Sequence, residues 1–210
     1  MRYYPINLDL KGKKVVVIGA GSVAYRKVLG LIEAGAVVEV VAPESHPELK
    51  QLAQKGAIRL KERGYVTGDL RGAFAAIAAT DDRALNLELR DEATSENVLL
   101  NIVDKPEFCD FVFPAKVARG EFLLTISTGG GSPALAKKIR EELEAQFGEE
   151  YGDLTALLAG IRAKIPPEER RKYEEKFSLF VRSPILEAIR ANDSEKIRSL
   201  VRDHFGEEFL

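Results

Sequence analysis

Tryptophan is absent from this sequence, and cysteine and methionine occur once each among 210 residues. The single cysteine, Cys109, excludes an internal disulfide framework. With it stand only two histidines, His46 and His204, which argues against a permanent His/Cys metal site, and no metal ligand is assigned. A basic excess is missing too. The formal net charge is −2, which speaks against a nucleic-acid partner. No apolar run approaches the length that spans a bilayer, and the opening MRYYPINLDL lacks the apolar core of a signal peptide. The expectation is a cytoplasmic protein with neither a nucleic-acid nor a membrane partner. What remains is ordinary for a folded chain, 45% hydrophobic and 30% charged, and long enough to bury a real core.

The most informative stretch runs from Lys13 to Lys27, KKVVVIGAGSVAYRK. A buried strand, Val15 to Ile18, breaks into Gly19-Ala20-Gly21-Ser22-Val23-Ala24 and then into a helix beginning near Ser22. This is the spacing of the phosphate-cradling turn in a dinucleotide-binding βαβ unit, with alanine at the third small position. Gly19 allows a tight turn, Gly21 admits the backbone close to a pyrophosphate, and Ala24 keeps the helix near the sheet. The amides of Ser22 and Val23 then face the anion from the positive end of the helix. Context strengthens the motif: an apolar stripe (Val28, Leu31, Ile32) follows, and a second strand, Val37 to Val41, closes the unit.

The tip of that second strand reads Ala42-Pro43-Glu44. Glu44 can reach the adenosine ribose or serve as a first-turn acid of the next helix, Pro47 to Lys55. No arginine stands there to hold a 2′-phosphate, which favours NAD over NADP. A third strand covers Ile58 to Leu60, and a fourth, Phe74 to Ala79, is apolar enough to be buried on both faces. It ends in Thr80, either a cofactor contact or a hydroxyl with local bonds only, and Asp82 caps a helix over 83–96. A fifth strand, Asn97 to Val103, carries Asp104 at its carboxyl end. Strands alternating with helices predict an open parallel sheet with ligands outside the strands' carboxyl ends, where Gly21, Ser22, Glu44, Thr80 and Asp104 all fall.

The pattern then changes. Phe111 to Val117 and Glu121 to Thr128 read as an antiparallel hairpin turning at Ala118-Arg119-Gly120. Thr128-Gly129-Gly130-Gly131-Ser132-Pro133 leads into a helix marked by Leu135, Ile139, Leu143 and Phe147, with Ser132 as its N-cap. The three glycines form either a second anion-binding nest or a flexible linker. From Glu149 onward apolar stripes predict helices only, and Arg170-Arg171-Lys172 is either a solvated face or a contact for an acidic ligand.

Taken together, several stretches resemble the precorrin-2 dehydrogenase family, the module that also forms the N-terminal part of siroheme synthases. They are Pro5-Ile6, Gly19 to Ala24 with Arg26-Lys27, Ala78 to Asp82, Asn101 to Asp104, Phe111 with Pro114, and Ser127 to Ala136. The resemblance implies a Rossmann-like parallel sheet over residues 1–113, a hairpin-plus-helix dimerisation segment over 114–148, and a C-terminal helical domain over 149–210. It implies NAD-dependent oxidation of the tetrapyrrole precorrin-2 to sirohydrochlorin by a homodimer, with iron insertion into the product in some members. The family's catalytic aspartate falls on Asp104, and on sequence alone that residue is either a general base or an N-cap or turn acid before Lys105-Pro106. Cofactor contacts fall on Gly19, Gly21, Ser22, Val23, Pro43, Glu44 and Thr80, and substrate contacts on Lys116, Thr128, Gly129, Gly130 and Ser132. Thr128 departs from the family, several of whose members carry a serine there that is phosphorylated in the synthase branch. Alternatives to a single-function dehydrogenase are a bifunctional dehydrogenase and ferrochelatase, or a non-enzymatic NAD-sensing module. The expectation from 210 residues is a chain without the methyltransferase domain of the fused synthases.

Overall fold

A computed structural model of the chain describes residues 3–210. Two compact units divide it, one up to Phe113 and one from Pro114 to Leu210.

In the first unit five parallel strands line up in the order β3-β2-β1-β4-β5. Strand β1 (Lys14–Ile18) is central because its four β-branched residues can be buried on both faces. Val15 and Val17 enter one core with the helix α1 (Ser22–Glu33) residues Ala24, Val28 and Leu31 and with Leu49 of α2 (Pro47–Gln54). Val16 and Ile18 enter the other, with Leu89 and Ala93 of α3 (Arg83–Glu96). Beside β1 lie β2 (Val37–Val41) and β4 (Ala75–Ala78), flanked in turn by β3 (Arg59–Lys61) and β5 (Leu99–Ile102). The parallel sheet with helices on both faces is thus as expected.

The long connection between β3 and β4 contains no strand, and two buried carboxylates hold it. Glu92 of α3 accepts the amides of Gly68 at 3.0 Å and Leu70 at 2.9 Å, and the Tyr65 hydroxyl. Asp69 accepts a forked pair of bonds from Arg63 at 2.6 and 2.7 Å and the Val66 amide at 3.0 Å. Lys61 reaches Asp69 at 3.4 Å and Glu39 of β2 at 2.5 Å, so the buried Glu39 is also paired. Each buried acid therefore meets donors, as burial of charge requires.

In the second unit β6 (Ala115–Arg119) and β7 (Phe122–Ile126) form the antiparallel hairpin. It begins later than the sequence suggested: Phe111 to Pro114 are not strand. Asn101 donates to the Phe111 carbonyl at 2.9 Å, and the Asp110 amide to Leu100 at 2.8 Å, so this stretch is tied to β5 instead. Asn97 likewise does not open β5. It closes α3 in the left-handed region, its amide bonding back to Ala93 and Thr94. After α4 (Pro133–Gln146), α5 (Glu150–Ala163) serves two neighbours. Its Tyr151 ring joins Phe122 and Phe147 beneath the hairpin, while Leu154 and Ile161 enter a core shared with α6 (Glu174–Arg182), α7 (Ile185–Arg190) and α8 (Ser194–Phe205). Phe180 and Phe205, 5.1 Å apart, centre that core. Among the described residues no helix is long and apolar enough to cross a membrane.

Candidate cofactor and catalytic site

The chain leaves β1 for β2 on one side and later returns to β4 on the other, so the crevice of this sheet opens between β1 and β4. Gly19 stands at that point with φ +98°, and a Cβ there would come within 2.3 Å of the Ala79 carbonyl oxygen. Only glycine fits. Gly21 differs: its φ is −79°, and a Cβ there would meet nothing within 4 Å. The space above it is open, as a cradle for a phosphate requires. Helix α1 begins here without a side-chain cap. By contrast α2, α3 and α4 are capped by His46, Asp82 and Ser132. The first-turn amides of Ser22 and Val23 thus remain for an anion, with the helix dipole behind them. Ala24, fully buried, lets α1 lie against the sheet.

Beside this turn the loop after β2 is strapped down by the His46 amide, which donates to Ala20 at 2.9 Å. The Tyr25 and His46 rings stack at 5.5 Å, and the Tyr25 hydroxyl donates to Glu48 at 2.8 Å, which raises the tyrosine pKa. Pro43 and Glu44 are exposed on that loop. The first-turn role considered for Glu44 is not what the fold uses: α2 starts at Pro47, and its first-turn acid is Glu48. Thr80 is half-buried after β4 and accepts the Asp82 amide at 3.2 Å, so its hydroxyl has the local bond that was one of its two readings.

Asp104 follows β5 at the same edge, exposed, with φ +59°. Of its structural alternatives the N-cap is not used, since the short turn over Pro106–Phe108 is preceded by Lys105 with no side-chain capping bond, but Asp104 does stand in a turn, which the Lys105 amide closes on the Ile102 carbonyl at 3.2 Å. Among the described residues the Asp104 carboxylate accepts no hydrogen bond. A non-glycine residue in the left-handed region is uncommon, though aspartate tolerates it better than most. One neighbour was underweighted in the sequence. Lys27, three residues past Ala24, lies half-buried with its ammonium 3.7 Å from the centre of the Phe113 ring. Burial chiefly, and then the Arg26 charge, lower its pKa, while the Asp104 charge pulls it up. Asn86 was also missed. Its amide nitrogen donates to the Thr80 carbonyl at 3.2 Å, and its buried Oδ1 has no partner among the described residues.

Unit one therefore gathers Gly19, Gly21, Ser22, Val23, Pro43, Glu44, Thr80 and Asp104 on one edge. Lys116 and the loop from Thr128 to Ser132 belong to the second unit. That loop is largely self-satisfied. The Thr128 hydroxyl accepts the Ser132 amide and donates to the Ser132 carbonyl, both at 3.2 Å. The Gly129 amide goes to Ser127 and the Gly131 amide to the Thr128 carbonyl. Three of the four amides offered for an anion nest, those of Gly129, Gly131 and Ser132, are thus already bonded within the loop. Ser132 caps α4 through the Leu135 amide, as expected.

Known proteins agree with this architecture. Residues 6–115 match the family model described as "Putative NAD(P)-binding". The chain belongs to this NAD(P)-binding family. Residues 124–146 match the central segment of sirohaem biosynthesis proteins. Siroheme synthase of Azotobacter vinelandii is 37% identical over 207 residues, covering 96% of this chain and 44% of the relative. That of Nitrosococcus oceani is 40% identical over 165 residues, 79% of this chain and 35% of the relative. The chain thus spans less than half the length of these synthases. A solved structure, "SirC, precorrin-2 dehydrogenase", superposes with a TM-score of 0.77 at 28% identity, covering 96% of this chain and 98% of that one. The kinship with precorrin-2 dehydrogenases and siroheme synthases read from the sequence motifs is borne out.

Proposed function

We propose that this chain binds NAD at the α1 turn and oxidises precorrin-2 to sirohydrochlorin in the cytoplasm, with Asp104 as general base. One observation carries this reading. Asp104 is an exposed carboxylate with no hydrogen-bond partner among the described residues, on the same sheet edge as the uncapped helix and its glycine turn. Its likeness to SirC along nearly the whole chain supports the choice of substrate.

Removing two hydrogens from the macrocycle sends one away as a hydride and one as a proton. NAD, when bound, supplies the hydride acceptor. The chain's own task is to hold the dinucleotide and take the proton. Gly21 gives the diphosphate room, and the Ser22 and Val23 amides offer it donors. Glu44 stands exposed at the β2 tip, where a carboxylate accepts from ribose hydroxyls and repels a 2′-phosphate, which favours NAD over NADP. Asp104 accepts the proton, as a general base that no hydrogen bond ties elsewhere.

For the second unit the proposed substrate contacts are Lys116 and the loop of Thr128, Gly129, Gly130 and Ser132, where the Gly130 amide is the donor that the loop itself does not use. This unit also adds the homodimer surface, over residues 114–148. No residue of α4 is buried within the chain, and Leu135 and Leu123 remain 48% and 43% exposed, which supports an oligomeric contact there. A second reading, iron insertion into sirohydrochlorin, is favoured by the relatives' being siroheme synthases, since siroheme carries iron. Asp104 would then receive the pyrrole protons.

Anaerobic incubation with precorrin-2 and NAD, followed by NADH absorbance, tests the dehydrogenase. Absence of NADH would end it. Ferrous ion added to sirohydrochlorin tests the chelatase, which fails if the rate equals the protein-free control.

A further inference from the structure

Most lysines in this fold are either solvated or matched with an acid: Lys50 with Glu62, Lys61 with Glu39, Lys137 with Glu141, Lys172 with Glu169. Lys27 is neither. It is half-buried on the border of the α1 stripe formed by Ala24, Val28 and Leu31, and among the described residues its ammonium enters no ion pair. What meets it is the face of Phe113, at 3.7 Å from the ring centre, and the field of Asp104. A ring face stabilises a cation without neutralising it.

The aromatic support is itself fixed. Phe113 packs edge-on to Phe111 at 5.4 Å, Phe111 leans on the α1 side of the core, and Asn101 of β5 holds the Phe111 carbonyl at 2.9 Å. Lys27 is therefore positioned beside the carboxyl end of β5. An unpaired, partly desolvated ammonium at the ligand edge of the sheet is a ready site for an anion.

Two anions compete for it on the proposed reaction: the cofactor's diphosphate and a carboxylate of the substrate. Location decides between them. The diphosphate belongs over Gly21 at the end of β1, whereas β5 lies two strands away, about 9–10 Å across the sheet. The Lys27 ammonium is electrostatically coupled to Asp104, at the reacting end, and rests on an aromatic face exposed at 40%. We infer that Lys27 is a substrate-binding residue, its ammonium pairing with a side-chain carboxylate of the tetrapyrrole and so setting the macrocycle against Asp104. This deepens the precorrin-2 reading and rests on it.

Direct binding separates the two claims. Anaerobic titration of the protein with sirohydrochlorin, the product, and separately with NAD, is followed by absorbance and fluorescence. Wild type, Lys27→Met and Lys27→Arg are compared, with thermal melts to confirm folding. Lys27→Met is expected to weaken sirohydrochlorin binding about tenfold or more, the loss of a charge-assisted pair, while NAD binding is unchanged. Lys27→Arg, which keeps the cation and the ring contact, should stay within about threefold of wild type. In turnover the Met variant should raise KM for precorrin-2 far more than it lowers kcat. Equal sirohydrochlorin binding by wild type and a folded Lys27→Met would overturn this inference alone. So would a variant that loses NAD and retains the tetrapyrrole, which would make Lys27 a cofactor ligand. Wild-type protein that binds NAD but no sirohydrochlorin would overturn the functional reading beneath it.

Discussion

A Cβ placed on Gly19 would lie 2.3 Å from the carbonyl oxygen of Ala79, across the crevice between β1 and β4. Two residues on, the same addition at Gly21 would touch nothing within 4 Å. The glycines of one motif therefore have separable duties, the first to the fold and the second to the ligand.

Gly19→Ala is accordingly expected to cost folding stability, by at least about 2 kcal/mol for a side chain forced into both a left-handed backbone and a backbone clash. Gly21→Ala should melt within a degree or two of wild type yet bind NAD about tenfold or more weakly, because its methyl fills the phosphate's space. Chemical denaturation and NAD titration of both variants check this. A stable Gly19→Ala protein, or a Gly21→Ala protein with unaltered affinity, would contradict it.

Asp104 combines a free carboxylate with a left-handed backbone, so the two properties need different substitutions. Asparagine tolerates that conformation as well as aspartate does, whereas alanine loses about 1 kcal/mol there. Asp104→Asn should keep wild-type stability and lower kcat by at least about a hundredfold, the range of a positioned general base. Unimpaired NADH formation by that variant would remove Asp104 from the chemistry.

The Arg63 fork holds the Asp69 carboxyl down at about 2, below its ordinary value of 3.8, with help from the Val66 amide and Lys61. A native pKa below the unfolded one means that the unfolded chain binds the proton more readily. The stabilisation, about 2 kcal/mol, is complete above the unfolded value and lost as pH falls from 3.8 through about 2. Asp69→Asn should be less stable than wild type at neutral pH, with the gap closing across that acid window. A gap that is constant with pH would refute the ion-pair account.

At the loop before α4, Thr128 bonds both ends of Ser132 through its hydroxyl. Thr128→Ser keeps that hydroxyl and should leave stability nearly unchanged, while Thr128→Val should lose about 1 kcal/mol or more by stranding the Ser132 amide. Ser132→Ala should lose about 1 kcal/mol as a missing N-cap. Urea unfolding monitored by circular dichroism distinguishes the three.

Much of the parallel sheet was legible because its signals are local. Runs such as Val15 to Ile18 and Ala75 to Ala78 have one burial state compatible with their composition, and Asp82 and Ser132 announce the helices they cap. The start of the hairpin was misjudged because it depends on partners about ten residues back in the chain. Phe111 to Pro114 alternates like a strand, yet the Phe111 carbonyl is taken by Asn101 and the preceding Asp110 amide by Leu100, which no local pattern reveals. Gly129 to Ser132 has the composition of an anion nest, one of its two readings, but its near neighbours Thr128 and Ser127 have taken most of its donors, which composition does not show.

The glycine turn and the strand alternation were sufficient, by themselves, to determine a dinucleotide-binding fold with Asp104 at its ligand edge, because turn geometry and two-faced burial are set by adjacent residues. Tertiary structure decided the rest. It made Gly19 obligatory through Ala79, left Gly21 open, denied Asp104 a capping role, and drew Lys27 from a helix surface onto Phe113. Each of those outcomes depends on which atoms from remote segments arrive within a few ångströms, and the order of residues along a chain does not encode that distance locally.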